Sequence, residues 1–244
     1  MRKVLVIEDA IEIREIVKFA LKQLSMDLDF SESIIEAERR LSRNHFNLII
    51  LDLNLPDGDG LDLLGRLRQN KNYKTTPVIV LSSKIDMAFK LCAFSLGADD
   101  YMTKPFNNLE LRARVECLFR RISQPEEREE IFEAGPFTLN PAKQTVLVRE
   151  TGEIIHLTST EFRIFALLSK RPDVIYTRNQ ILDHVWGEQI AVTDRTVDSH
   201  IYSLRKKLGE ESEYIQAVKG EGYRFLESPL SCTSMSFFDE VKKF

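Results

Sequence analysis

The chain of 244 residues has one tryptophan and three cysteines, Cys92, Cys117 and Cys232. An odd, widely spaced set of cysteines makes a disulfide framework or a zinc site a poor reading and fits a reducing compartment. No apolar run approaches the ~20 residues of a membrane-spanning helix, so no membrane partner is expected. Met1-Arg2-Lys3 leads directly into the apolar run VLVI, with charge at Glu8-Asp9, so no signal peptide is expected. A large excess of one sign of charge is also lacking. The net charge is −4, and residues 131–226 hold 12 Lys+Arg against 13 Asp+Glu. Any contact with nucleic acid must therefore come from a local cluster rather than from overall charge. With 43% hydrophobic and 30% charged residues, the composition is that of a globular chain, long enough for two ordinary domains.

What is present is most concentrated in residues 47–60, NLIILDLNLPDGDG. The nearly unbroken apolar run reads as a strand covered on both faces. Asp52 stands at its C-terminal end, where open α/β sheets place ligands. Pro56, Gly58 and Gly60 then turn the chain toward a helix. Similar runs lie at residues 4–7, weakly at 28–30, at 78–81 and at 101–102. Helical patterns separate them, such as Ile16, Phe19, Ala20 and Leu24, or Leu111, Val115 and Leu118. Repeated βα units predict a doubly wound, five-stranded parallel sheet with right-handed crossovers.

In such a sheet the strand ends share one edge. That edge collects Glu8-Asp9, Asp52, Ser82-Ser83 and Lys104-Pro105. Clustered carboxylates repel unless a cation sits among them. A hard divalent ion such as Mg²⁺ suits carboxylate, carbonyl and water ligands, and the absence of His and Cys from this set argues against zinc or copper.

With Glu8-Asp9, LIILDLNLPDGDG, VLSS and GADDYMTKPF all in order, the first half resembles the receiver domain of two-component response regulators. The resemblance implies a CheY/flavodoxin-like fold and phosphoryl transfer from a cognate histidine kinase to Asp52. It implies Mg²⁺ held by Glu8, Asp9, Asp52 and the backbone carbonyl of Asn54. Lys104, before a Pro105 expected to be cis, and Ser82 would meet the phosphoryl oxygens, and Tyr101 would be the switch aromatic. In the OmpR/PhoB subfamily the matching helical stripe forms a homodimer on phosphorylation. This implies Lys90–Glu110 and Asp99 or Asp100–Arg114 pairs across a two-fold axis, around Leu91, Phe94 and Ala113. The self-complementary charges suit an isologous patch. Cys117 on the same stripe reads as a small hydrophobe.

Residues 123–130, SQPEEREE, are polar and charged and mark a boundary. The expected division is a receiver at 1–121, a linker at 122–132, a second domain at 133–227 and a tail at 228–244. The second domain opens with short strand-like pieces. Three helical patterns follow: the first is preceded by the capping signal TSTE, the second ends at Gly187, and the third runs over 194–208 with Thr193 as its N-cap. A hairpin closes through KGEG. This is the pattern of an α+β winged helix-turn-helix. On the third helix Val197, Ile201, Leu204 and Leu208 form a core stripe, opposite Arg195, Ser199, Tyr202, Ser203 and Lys206, with Arg205 and Lys207 flanking.

The segments LTSTEFRIFALL, VWG, DRTVDSHIYSLRKKLG and VKGEGYRF resemble the OmpR/PhoB effector domain. This implies that the third helix enters the major groove of double-stranded DNA and that the wing reaches the backbone. The residues implied are Arg195, Thr196, Ser199, His200, Tyr202, Ser203, Arg205, Lys206, Lys219 and Arg224. Some family members carry arginines where this chain has Tyr202 and Ser203, so base preference does not transfer. Glu221 puts an acid at the wing tip. Binding is expected on direct-repeat half-sites, with RNA polymerase as a further partner. The reading is a cytoplasmic transcription regulator rather than a conventional enzyme. A phosphohydrolase with an aspartyl nucleophile is the rival, but it usually carries an acid where Asn54 stands. A vestigial receiver is the other rival, and the intact set Glu8, Asp9, Asp52, Ser82 and Lys104 argues against it.

Overall fold

The structure is a computed structural model and describes residues 2–123, 130–187 and 194–229. The central part of the expected linker, the N-cap Thr193 and most of the tail lie outside the described residues.

The first sheet has five parallel strands: β1 (Arg2–Ile7), β2 (Met26–Ser31), β3 (Leu48–Asp52), β6 (Val78–Ser82) and β7 (Asp100–Thr103). They lie in the order β2-β1-β3-β6-β7. The intervening β4 (Asn54–Leu55) and β5 (Gly58–Asp59) make a small hairpin that carries the Pro-Asp-Gly turn. Helices α1 (Ile11–Leu21), α2 (Ile34–Leu41), α3 (Gly60–Gln69), α4 (Met87–Ser95) and α5 (Asn108–Ser123) complete the βα alternation. β3 and β6 are buried throughout, as their continuous apolar runs require. β2 extends beyond its weak apolar signal because it is an edge strand. Met26, Leu28 and Phe30 pack inward, while Asp27 pairs with Lys3 and Asp29 with Arg40.

The second unit starts with the antiparallel strands β8 (Phe132–Ala134), β9 (Phe137–Asn140), β10 (Thr145–Val148) and β11 (Ile154–Ile155). They form a four-stranded sheet in the order β11-β10-β9-β8. Helices α6 (Ser159–Ser169), α7 (Arg178–Trp186) and α8 (Asp194–Leu208) follow. β12 (Tyr176–Thr177) joins β14 (Gly222–Phe225) and β13 (Ile215–Val218) in a three-stranded wing. The TSTE signal is a complete capping box: the Thr158 hydroxyl accepts from Glu161 N–H, and the Glu161 carboxylate accepts from Thr158 N–H. α7 repeats the device with Thr177 and Gln180. Phe137, Phe165 and Phe225 meet edge to face at 5.0–6.2 Å in the middle of this core. The core stripe of α8 packs here as its periodicity predicts.

Gly60 begins α3 against the end of β3. A Cβ there would lie 2.3 Å from the Asp52 carbonyl oxygen and 2.7 Å from Leu53 Cα, both backbone atoms that cannot move aside. Gly65, in the same helix, has nothing within 4 Å of such an atom. Alanine at these two positions should therefore act in opposite directions. Gly60→Ala should destabilise the first domain by about 1–3 kcal/mol, the usual range for overpacking. Gly65→Ala should stabilise it by about 0.5–1 kcal/mol through helix propensity and a stiffer unfolded chain. Urea midpoints of the two variants check this; loss of stability in both would contradict it.

Candidate functional site

Register brings the predicted pocket together. Ile7 pairs with Leu51, Asp52 with Leu81, and Ser82 with Thr103, so β1, β3, β6 and β7 end level. The next residue beyond β1 is Glu8 and the next beyond β7 is Lys104. Glu8, Asp52 and Ser82 are buried and Asp9 is exposed. One oxygen from each of Glu8, Asp9 and Asp52 lies within 4.8 Å of the others. The Lys104 ammonium donates to Glu8 Oε2 at 2.6 Å and to Asp52 Oδ2 at 2.7 Å. The Lys104–Pro105 bond is cis, and Lys104 N–H donates to the Ser82 carbonyl at 2.8 Å. Burial pushes the Glu8 carboxyl up; its bond to Lys104 opposes this, and the nearby Asp52 charge adds to it. Asn54 N–H donates to Asp52 Oδ1 at 3.1 Å, which orients the carboxylate. Carboxylate oxygens in this cluster, with no nitrogen or sulfur donor, fit a hard divalent cation. Tyr101 is buried and its hydroxyl donates to the Lys84 carbonyl at 2.7 Å.

Of the charges expected to pair across a two-fold axis, Asp99, Asp100, Glu110 and Arg114 have partners within the chain. Arg114 is buried and donates to both oxygens of Asp100 at 2.7 Å and to Glu110 at 2.6 Å. Lys90 and Leu91 are half-buried, Ala113 is exposed, and Phe94 is fully buried. Asp99 parts company with Asp100. Its Oδ2 accepts from Val78 N–H and the Arg68 guanidinium, and its Oδ1 accepts from Thr160 N–H and Oγ1–H in the second domain. Arg68, one of two arginines in the last turn of α3 and unremarked in the sequence, also clamps the carbonyls of Tyr73, Thr76 and Gly97. Cys117 donates to the Trp186 carbonyl at 3.1 Å, so it does more than fill space.

The predicted DNA-contact set divides in two. Arg195, Tyr202, Lys206 and Lys219 are exposed. Thr196, Ser199, His200 and Ser203 are buried, although the sequence puts Ser199 and Ser203 opposite the core stripe and the resemblance implies DNA contacts for all four. α4 covers Ser203 and His200: Ser203 Oγ–H donates to the Ser95 carbonyl at 3.2 Å, and the His200 ring lies 5.0 Å from Phe94 of α4 and 5.4 Å from Trp186 of α7. Arg205 and Arg224 are held within their own domain, by the Ile215 carbonyl and by Gln216. Thr196 Oγ1 and both ring nitrogens of His200 have no hydrogen-bond partner within the described residues. Such groups cost about 1–3 kcal/mol each when buried.

Burial, reinforced by the Lys207 charge, pushes the His200 imidazole from 6.5 down to about 3. Above pH 6.5 the ring is neutral whether buried or free, and burial carries no protonation penalty. Between 6.5 and about 3 only the freed ring binds a proton, so stability is lost as pH falls through that window. From pH 7 to pH 5 the chain should lose about 2 kcal/mol more than His200→Leu does. Urea titrations at the two pH values measure this, and equal losses in the two proteins would contradict the buried neutral ring.

A family model described as "Response regulator receiver domain" matches residues 4–116, and one described as "Transcriptional regulatory protein, C terminal" matches residues 152–225. The phosphate regulon transcriptional regulatory protein PhoB of Escherichia coli (strain K12) is 38% identical over 226 residues, covering 92% of this chain and 97% of that protein. The uncharacterized transcriptional regulatory protein YclJ of Bacillus subtilis (strain 168) is 34% identical over 230 residues, covering 92% and 99%. The solved structure of a RitR mutant superposes with a TM-score of 0.73 at 25% identity, covering 93% of this chain and 100% of that one, so both domains superpose together. With both family models matched in order and relatives aligned along nearly their whole length, this chain belongs to the OmpR/PhoB family of two-component response regulators, a receiver joined to a winged-helix DNA-binding domain that acts in transcription regulation.

Proposed function

We propose that Asp52 accepts a phosphoryl group from a histidine kinase and that this event controls how the second domain reads DNA. The observation that carries the reading is the Lys104 ammonium held between Glu8 and Asp52, with Asp9 completing a carboxylate cluster. An Asp52 oxygen attacks phosphorus in line, the P–N bond of the donor phosphohistidine breaks, and its electron pair returns to the imidazole. Glu8, Asp9, Asp52 and the Asn54 carbonyl would hold Mg²⁺, which when bound neutralises charge on the phosphoryl oxygens. Lys104 exchanges its carboxylate contacts for a phosphoryl oxygen, and Ser82 offers its hydroxyl to another. Tyr101 follows Ser82 into the space vacated there. The protein is thus a regulator that takes part in its own modification rather than an enzyme acting on other substrates.

The division at 1–121, 122–132, 133–227 and 228–244 is kept in this reading. A cytoplasmic location is part of the same reading; among the described residues no helix is long and apolar enough to cross a membrane. Phosphorylated receivers pair through α4, β7 and α5, using Lys90, Leu91, Phe94, Ala113 and Glu110 with the acids Asp99 and Asp100 and Arg114. Two effector domains are then presented to direct-repeat half-sites, where avidity adds to modest single-site affinity, and RNA polymerase is contacted from there. Arg195, Tyr202, Lys206 and Lys219 supply phosphate and base-edge contacts, joined by Thr196, Ser199, His200 and Ser203 once α8 is uncovered. Arg205 and Arg224 position α8 and the wing.

Two measurements test this. Incubation with acetyl phosphate and Mg²⁺ should label the chain and Asp52→Asn should take no label; equal labelling of both would remove Asp52 from its role. In sedimentation velocity, beryllofluoride with Mg²⁺ should shift the wild-type chain to a dimer and leave Ala113→Asp, an exposed-site variant, monomeric. A dimer of unchanged strength in Ala113→Asp would place the interface elsewhere.

A further inference from the structure

The first helix of the receiver carries an apolar face that its sheet does not use. α1 buries Val17, Ala20 and Leu21, while Ile11, Ile16 and Phe19 face outward, Ile11 at 60% and Phe19 at 71% exposure. α5 lies beside it, and Arg112 of α5 donates to Gln23 just beyond the end of α1. Both helices follow strands of one parallel sheet and so run the same way. One turn before Gln23 is Phe19, and one turn before Arg112 is Leu109, itself 63% exposed, so the apolar face continues from α1 onto α5. A contiguous apolar patch rimmed by charge marks a contact surface. The rim has an order: Glu12 and Glu15 stand toward the start of α1, and Lys18 and Lys22 toward and just past its end, all four exposed. Glu15 and Lys18 pair at 3.3 Å, but so exposed a pair is readily exchanged for another.

The chain also carries an apolar segment that neither domain accounts for. The effector match stops at residue 225, and residues 237–244, outside the described residues, read FFDEVKKF. Phe237, Phe238, Val241 and Phe244 recur at helical spacing, with Asp239 and Glu240 ahead of Lys242 and Lys243.

We infer that residues 237–244 dock as an amphipathic helix on the outer face of α1 of the same chain, antiparallel to it, with Phe19 at the centre of the contact. Two independent observations give the same direction. Laid antiparallel, the tail acids meet Lys18 and Lys22 and the tail lysines meet Glu12 and Glu15; laid parallel, each of these contacts joins like charges. The route agrees. Phe225, the last residue of β14, packs on Phe137 of β9, and the β8–β9 hairpin is tethered to the C-terminal end of α5 through residues 124–129. The tail therefore sets out near the end of the receiver where α5 and α1 both finish, and it meets Lys22 before Glu12. Residues 230–236 span up to about 25 Å when extended. The tether makes docking intramolecular, which multiplies the effect of a small apolar contact. α1 begins two residues after Asp9, so the docked segment runs up to the edge of the acceptor pocket. The docking goes beyond the role proposed for Asp52 and does not depend on it.

The full chain is made with p-benzoylphenylalanine in place of Phe238 and irradiated as a mixture of ¹⁵N-labelled and unlabelled molecules. Mass spectrometry then locates the cross-links and separates those within a chain from those between chains. They should fall on residues 11–23 of the same chain, and Phe19→Glu, at an exposed site, should remove them. Reversing the tail charges, with Asp239→Lys, Glu240→Lys, Lys242→Glu and Lys243→Glu, should cut their yield at least about threefold. Free of any photoreactive group, α1 should exchange its amide hydrogens at least about threefold faster in the Phe237→Ser plus Phe238→Ser chain than in wild type, with α3 unchanged. Cross-links on another surface, cross-links formed only between chains, as a second copy would give, cross-links that persist in Phe19→Glu, or equal exchange of α1 in the two proteins would each overturn the docking.

Discussion

One ammonium group shared by two buried carboxylates sets the terms for the receiver. Glu8 and Asp52 are brought to the same edge by parallel strands whose cores are wholly apolar, and nothing in those strands can neutralise them. Lys104, delivered from the far side of the sheet beyond β7, does so. Removing one partner from such a buried set costs about 3–5 kcal/mol. The same lysine is therefore both a structural counter-ion and the charge that a phosphoryl group would claim. Exchange of one role for the other is the event from which the rest of the regulation follows.

A second acid, Asp99, stands in the same kind of tension at the other side of the receiver. It is fully buried, tied to Arg68 behind it and to Thr160 in front. Two domains joined by a modest, partly polar contact are by default free to move relative to one another. Here the contact also shelters a histidine whose ring nitrogens have no hydrogen-bond partner within the described residues, which lowers its net stability. A weak contact over a functional face is what a small perturbation can release.

The pocket was legible in the sequence because its parts sit at strand ends, and strand ends follow from apolar runs. Asp52 after LIIL and Lys104 before a proline needed no distance information to be placed on one edge. The α8 core stripe was legible for a similar reason, since helical period alone separates Val197, Ile201, Leu204 and Leu208 from the polar face. What covers that polar face was not. Ser199, His200 and Ser203 are ordinary surface residues by type, and nothing in their spacing names α4 as their neighbour. The pair Asp99-Asp100 looked like one charged patch, but neighbouring residues entering a strand point to opposite sides. Asp100 therefore joins Arg114 and Asp99 joins the second domain. Arg68 and Trp186 carried no signal of their roles in the sequence, because the carbonyls that they meet, Gly97 and Asp99, lie far along the chain.

A crystal structure of the full chain with beryllofluoride and Mg²⁺ bears most directly on the exchange at Lys104. The result predicted is beryllofluoride on an Asp52 oxygen, the metal among Glu8, Asp9 and Asp52, Lys104 turned onto a fluoride, and α8 released from α4. Beryllofluoride absent from Asp52, or bound there with Lys104 still seated on Glu8, would contradict it.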